Sequence, residues 1–154
     1  MPGGGGPERI VIELAGEPRG KGRPRFVRAT GMAYTPSGTR AYESALRLAA
    51  QESFGRRPPL DAPVRVLVLA VLPIPRSWPH SRRLAAAQGR IHPACKPDID
   101  NLLKVLDALN QVVWCDDKQI VEAHVVKAYG PRPSLRIEVE PIPLTEAEPA
   151  RLIA

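Results

Sequence analysis

A chain of 154 residues is long enough for one domain with a real core and too short for two. Its 44% hydrophobic and 25% charged residues are those of a soluble globular domain, and no apolar run approaches the roughly 20 residues that cross a membrane. The formal net charge of +6 calls for an anionic partner, and without a long basic amphipathic helix that partner is nucleic acid rather than a membrane surface.

In chain order, residues 1–7 are four glycines between prolines, with neither the basic nor the apolar part of a signal peptide, and read as a disordered lead-in. Ile10, Ile12 and Leu14 alternate with Arg9, Val11 and Glu13, which predicts a half-buried strand over 8–15. Arg19, Lys21, Arg23, Arg25 and Arg28 follow with no acid among them. Within that run, Phe26 to Arg28 and Met32 to Tyr34 flank Thr30-Gly31 as a short hairpin. Thr39 is placed to cap a helix over 40–54, which Gly55 and the prolines at 58 and 59 stop.

Val64 to Leu72 is almost uninterrupted branched apolar sequence and predicts a central strand covered on both faces. Residues 73–97 read as an irregular connector with a short helix near 82–88. It carries Arg76, Arg82, Arg83, Arg90 and Lys96 and no acid. Leu102, Val105, Leu106 and Leu109 mark one face of a helix over 100–110. Strands over 119–128 and 134–140 close an α+β domain, residues 8–141, with one mixed sheet flanked by helices. A proline-rich extension covers 142–154. Cys95 and Cys115 lack the spacing of a structural zinc site and fit free thiols in a reducing cytoplasm, where a nucleic-acid partner implies association with the nucleoid.

The acids are unevenly placed. Five of the six aspartates (Asp98, Asp100, Asp107, Asp116 and Asp117) fall within twenty consecutive residues, and no Glu lies between Glu52 and Glu122. Crowded carboxylates raise one another's cost of ionising, so a cation is expected among them. Mg²⁺ or Mn²⁺ favours oxygen ligands and commonly bridges carboxylates and phosphates. Asp98 and Asp100 open the 100–110 helix, where capping accounts for one of them but not for both. That helix carries the chain about 16 Å away. Residues 110–117, if extended, cover up to about 23 Å, enough to double back and return Asp116 or Asp117 to Asp98 and Asp100. Closure across a dimer is equally compatible. Lys104, one turn after Asp100, is either an ordinary i,i+4 partner or a cation that steadies a phosphate or leaving oxygen. Asp107 extends the polar face, and Trp78 is expected to pack rather than stack on a base.

The segment 96–127, KPDIDNLLKVLDALNQVVWCDDKQIVEAHVVK, resembles the RusA family of Holliday junction resolvases. That family's pattern is a D-x-D-N-L-x-K helix, a D-A-L step, and D-D-x-Q-[IV] before a strand ending in lysine. Lys21-Gly22-Arg23-Pro24-Arg25, Tyr34-Thr35-Pro36 and Tyr42-Glu43 resemble its phage-type branch. The resemblance implies catalytic roles for Asp98, Asp100, Asp117 and Lys104, with Asp116 as the adjacent metal-site carboxylate. It also implies Mg²⁺ or Mn²⁺, a homodimer, and paired nicks in a four-way DNA junction during recombination and repair. Lys21, Arg23, Arg25, Arg76, Arg82, Arg83, Arg90, Lys96 and Lys104 are the expected DNA contacts, with affinity falling as salt rises. The competing expectations are a metal-dependent nuclease of other branched or duplex DNA, and a non-catalytic DNA-binding protein whose acids cap a helix.

Overall fold

Four strands share one mixed sheet in the order β1 (Ile10–Ala15), β6 (Ser134–Pro141), β4 (Val64–Pro73) and β5 (Ile120–Gly130). The structure is a computed structural model that describes residues 8–34 and 36–143. The expected lead-in, Thr35 and residues 144–154 of the extension lie outside the described residues. β6 runs antiparallel to β1 and β4, whereas β4 and β5 are parallel. Parallel neighbours need a crossover. Here it is the stretch 74–119, which holds all five clustered aspartates.

The period-two pattern of the strands sets which side chains are inside. Ile10 and Ile12, Leu135, Ile137 and Val139, and Val64, Val66, Val68 and Ala70 form one buried face. Against it pack Leu46, Ala50 and Phe54 of α1 (Ser37–Phe54), then Leu102 of α3 (Ile99–Lys104) and Val105, Leu106 and Leu109 of the 3₁₀ turns that continue it. The predicted 100–110 helix is thus six α-helical residues followed by a tighter segment, Val105–Leu109. α1 begins at Ser37, with Pro36 rather than Thr39 at its cap position. α2 (His80–Ala87) lies in the basic connector, and a two-stranded hairpin, β2 (Arg25–Phe26) with β3 (Ala33–Tyr34), projects from the N-terminal third.

One expectation is corrected. β4 is central, but it is covered on one face only: its odd-numbered residues Arg65, Leu69 and Val71 are half-buried and Leu67 is exposed. The opposite face is instead laced by cross-strand ion pairs, Arg9 with Glu138 and Glu140, and Arg65 with Glu122. Charged neighbours on β1, β5 and β6 make that face compatible with water, so the apolar run in β4 does not need a second layer.

Trp114 is the largest side chain with no exposed surface, and its indole Nε1 donates to Asn110 Oδ1 at 2.8 Å. Trp114→Ala is expected to cost about 3–5 kcal/mol through the cavity it leaves. Trp114→Phe keeps most of the volume but leaves the Asn110 carbonyl without its donor, for a smaller loss of about 1–3 kcal/mol. Urea unfolding followed by far-ultraviolet circular dichroism measures both.

Candidate active site

The first acidic pair stands where the crossover enters α3. Asp98 occupies the N-cap position with extended backbone, φ −71° and ψ 152°, and its main-chain oxygen accepts from the Leu102 N–H at 3.1 Å. Its carboxylate makes no capping hydrogen bond. A capping hydrogen bond therefore does not account for this aspartate, whose exposed carboxylate stands beside a second one, Asp100, in the first helical turn. Lys104 Nζ lies 3.4 Å from Asp100 Oδ2, the i,i+4 pair expected from spacing. Both groups are exposed, so the pair contributes no more than about 0.5 kcal/mol to the helix.

Two other lysines hold this entry in place. Lys127, near the end of β5, donates from Nζ to the carbonyl oxygens of Cys95 (2.5 Å) and Pro97 (3.1 Å), fixing the turn that delivers Asp98. Lys127 pairs in register with Ala70 of β4, and the strand-ending lysine of the 96–127 segment was the sequence signal at this position. On the other side Gly20 packs so closely on α3 that a Cβ there would lie 2.7 Å from Asn101 Cβ. The next residue, Lys21, donates its backbone N–H to Asn101 O at 3.0 Å. The Lys21 ammonium turns inward to a hydrogen bond with Asp107 and an ion pair with Glu43 at 3.5 Å. Asp107 is thus the counter-ion that holds this lysine against the helix.

The second acidic pair is elsewhere. Asp116 caps the 3₁₀ turn Asp117–Gln119: its side chain accepts from the Lys118 N–H at 2.9 Å, and Gln119 Oε1 accepts from the Asp116 N–H at 2.9 Å. The hydrogen bond from Lys118 is the main cause holding the Asp116 carboxyl below the usual carboxylate range. Gln119 Nε2 also donates to the carbonyls of Leu60 (2.8 Å) and Ala62 (2.9 Å), which tie this corner to the segment entering β4.

Asp117 therefore sits at the start of β5, and Asp98 at the end where Lys127 lies. The seven steps of strand from Ile120 to Lys127 rise roughly 23 Å between those two ends. The doubling back that the segment's length allows is not the path it takes within the protomer. Residues 110–114 form a closed turn, with Gln111 N–H bonded to Trp114 O at 2.7 Å, because Val112, Val113 and Trp114 are buried where they stand. Among the described residues no group of three or more His, Cys, Asp or Glu side chains gathers closely enough to hold a metal ion.

The basic connector flanks the Asp98 end. The Arg82 guanidinium lies over the Trp78 ring at 3.9 Å, and Trp78 meets Tyr129 edge-on with ring centres 5.4 Å apart. Trp78 is thus a packing residue that carries an arginine. Arg90 bonds Gln88 Oε1 at 2.5 Å, while Arg76, Arg83 and Lys96 are exposed. Arg23 and Arg25 are exposed on the approach to the hairpin and in β2.

The hydrogen bond to Asp107 is the main cause that raises the Lys21 ammonium above its ordinary value, against the opposing effect of burial. A lysine raised by folding contributes stability fully below its unfolded value of about 10.4 and loses it as pH climbs through the higher folded value. Lys21→Met is expected to lower stability by about 1–2 kcal/mol at neutral pH, and its gap from wild type to close above about pH 10.5. Thermal unfolding over pH 7–11 reads that gap.

The family profile described as Endodeoxyribonuclease RusA matches residues 15–140. An uncharacterised protein of Bacillus subtilis (strain 168), YqaN, is 31% identical over 140 residues, which covers 86% of this chain and 96% of that protein. The match takes in β1's last residue through β6, with both acidic corners, Lys104 and Lys127 inside it. The chain belongs to the RusA endodeoxyribonuclease family.

Proposed function

We propose that the protein is a divalent-metal-dependent endonuclease that resolves four-way DNA junctions by paired symmetric nicks, acting as a homodimer in recombination and repair. The observation that carries this is the Asp98–Asp100 pair: two exposed carboxylates at a helix entry, neither used as a cap, with a cation one turn away. An all-oxygen donor set suits Mg²⁺ or Mn²⁺, which is ordinarily held by one or two carboxylates together with substrate phosphate. When bound, the ion supplies Lewis-acid stabilisation of the charge that develops on the phosphodiester. Lys104 places its ammonium where negative charge grows on the leaving 3′ oxygen. Lys127 and Lys21 do not touch DNA; they keep the carboxylate pair in register. Exposed Arg23, Arg25, Arg76, Arg83 and Lys96, with Arg82 on its Trp78 platform, hold backbone phosphates.

A third carboxylate comes from a second copy. β5 is an edge strand 11 residues long, and its Val121 is 62% exposed. Unpaired edges invite another strand. A copy that adds its own β5 antiparallel along this edge sets the start of one strand beside the end of the other. Asp117 of the partner subunit then reaches Asp98 and Asp100, and the two-fold axis generates two such sites, one for each nick. Asp116 stays with its cap.

Asp98→Asn and Asp117→Asn homodimers are each expected to lose nicking of a labelled four-way junction in Mg²⁺ while retaining junction binding, since each removes negative charge facing DNA. Mixing the two inactive variants under conditions that exchange subunits should restore nicking, because one of the two composite sites in each heterodimer then has every carboxylate. A site closed within one protomer would stay dead in the mixture. Forks and linear duplex in the same assay separate a resolvase from a broader nuclease. No cutting of any DNA by the wild-type protein would leave the non-catalytic alternative.

A further inference from the structure

Most two-stranded ribbons hide one face against a core. The β2–β3 hairpin hides neither. Arg25 pairs with Tyr34 and Phe26 with Ala33, and beyond them the Val27 N–H bonds Met32 O at 2.9 Å. Directly opposed residues share a face. Tyr34, Val27 and Met32 therefore lie on one side and Phe26 on the other, and all four are exposed: 46%, 42%, 67% and 70% respectively. A ribbon this short has little stability of its own in water, so leaving large apolar groups on both sides is unfavourable unless something covers them.

The surroundings say what covers them. No Asp or Glu occurs between Glu17 and Glu43, whereas Arg23, Arg25 and Arg28 are all exposed. An acid-free, arginine-rich ribbon repels cationic partners and attracts a polyanion. It is also rooted on the catalytic helix, through Lys21 N–H to Asn101 O and the close packing of Gly20 on Asn101 and Pro97. Four residues from Lys21 to Arg25 keep its base within about 14 Å of that contact. Intact duplex offers such a ribbon phosphates and groove edges but no base faces. A branch point offers both, because base pairs there lose a stacking neighbour. Apolar side chains, Phe and Met among them, are the groups that proteins insert at opened base steps.

We infer that this hairpin is the element that recognises the branch point, with Phe26 and Met32 set against unstacked base faces and Arg23, Arg25 and Arg28 on the converging phosphates. This rests on the junction-cutting activity proposed above and adds how a branch is distinguished from linear DNA. Phe26 and Met32 are specificity-determining residues. Neither is one of the carboxylates or Lys104, so their loss weakens selection of the branch rather than the chemistry.

The test uses the full chain as wild type, the double variant Phe26→Ala/Met32→Ala, and Phe26→Trp, with four-way junctions carrying 2-aminopurine at the branch. Ca²⁺ replaces Mg²⁺ to hold cutting off. Wild type and Phe26→Trp should raise the branch-point fluorescence. The double variant should lose most of that rise and bind the junction about tenfold more weakly, as expected for a lost base–side-chain contact. Its affinity for a linear duplex of equal length should change by less than about twofold. Unchanged fluorescence and affinity in the double variant would overturn the inference, and so would an equal loss on linear duplex. Sedimentation of the double variant as a monomer beside a dimeric wild type would overturn it too, by making the hairpin a contact between copies. A wild type that lights up the branch but cuts nothing in Mg²⁺ would refute the activity and not the hairpin. A wild type that nicks the junction beside a double variant that binds identically would refute the hairpin alone.

Discussion

Parallel pairing of β4 with β5 is the constraint on which the rest depends. A chain leaving the end of one parallel strand must travel back the length of the sheet before it starts the next. In this protein the return path is the chemistry-bearing stretch 74–119. It leaves Asp98 and Asp100 at the finishing end of β5 and brings Asp116 and Asp117 to its starting end. Buried Trp114 and the turn around it hold the second corner there, and Leu102, Leu106 and Leu109 hold α3 along the sheet between the two. The same topology leaves β5 at the edge, so the strand that separates the acids is also the one with a free side.

The cations divide into two kinds of work. Lys21 and Lys127 are spent inside the protomer: one on Asp107 and Glu43, the other on main-chain carbonyls at 95 and 97. Both act on the turn or helix that carries the carboxylate pair, one from each side. The open face of the sheet is self-contained, its arginines at 9 and 65 answered by glutamates across the strands. The 74–97 connector exposes Arg76, Arg83 and Lys96, and the hairpin with its approach exposes Arg23, Arg25 and Arg28. In the proposed reading, a polyanion drawn by the net charge of +6 meets the acidic pair between those two regions.

Read along the chain, β1 and β6 were visible to within a residue or two, because alternation of Ile10, Ile12 and Leu14, or of Leu135, Ile137 and Val139, is a local property of an extended backbone. The hairpin, α2 and the start of α3 were visible for the same reason, and so was the Asp100–Lys104 pair, which needs only one turn of helix. The D-x-D-N-L-x-K, D-A-L and D-D-x-Q-[IV] motifs within 96–127 were what made the RusA pattern recognisable.

What tertiary structure alone decided depends on partners far away in the chain. Lys21 reads as one more exposed cation until Asp107, 86 residues on, is folded beside it. Val64 to Leu72 reads as doubly buried because an apolar run does not say what lies opposite it; the charged registers of Glu122, Glu138 and Glu140 do. The eight residues from Asn110 to Asp117 were long enough to return to Asp98, but contour length sets only the greatest distance a segment can reach. Burial of Val112, Val113 and Trp114 set the path it takes.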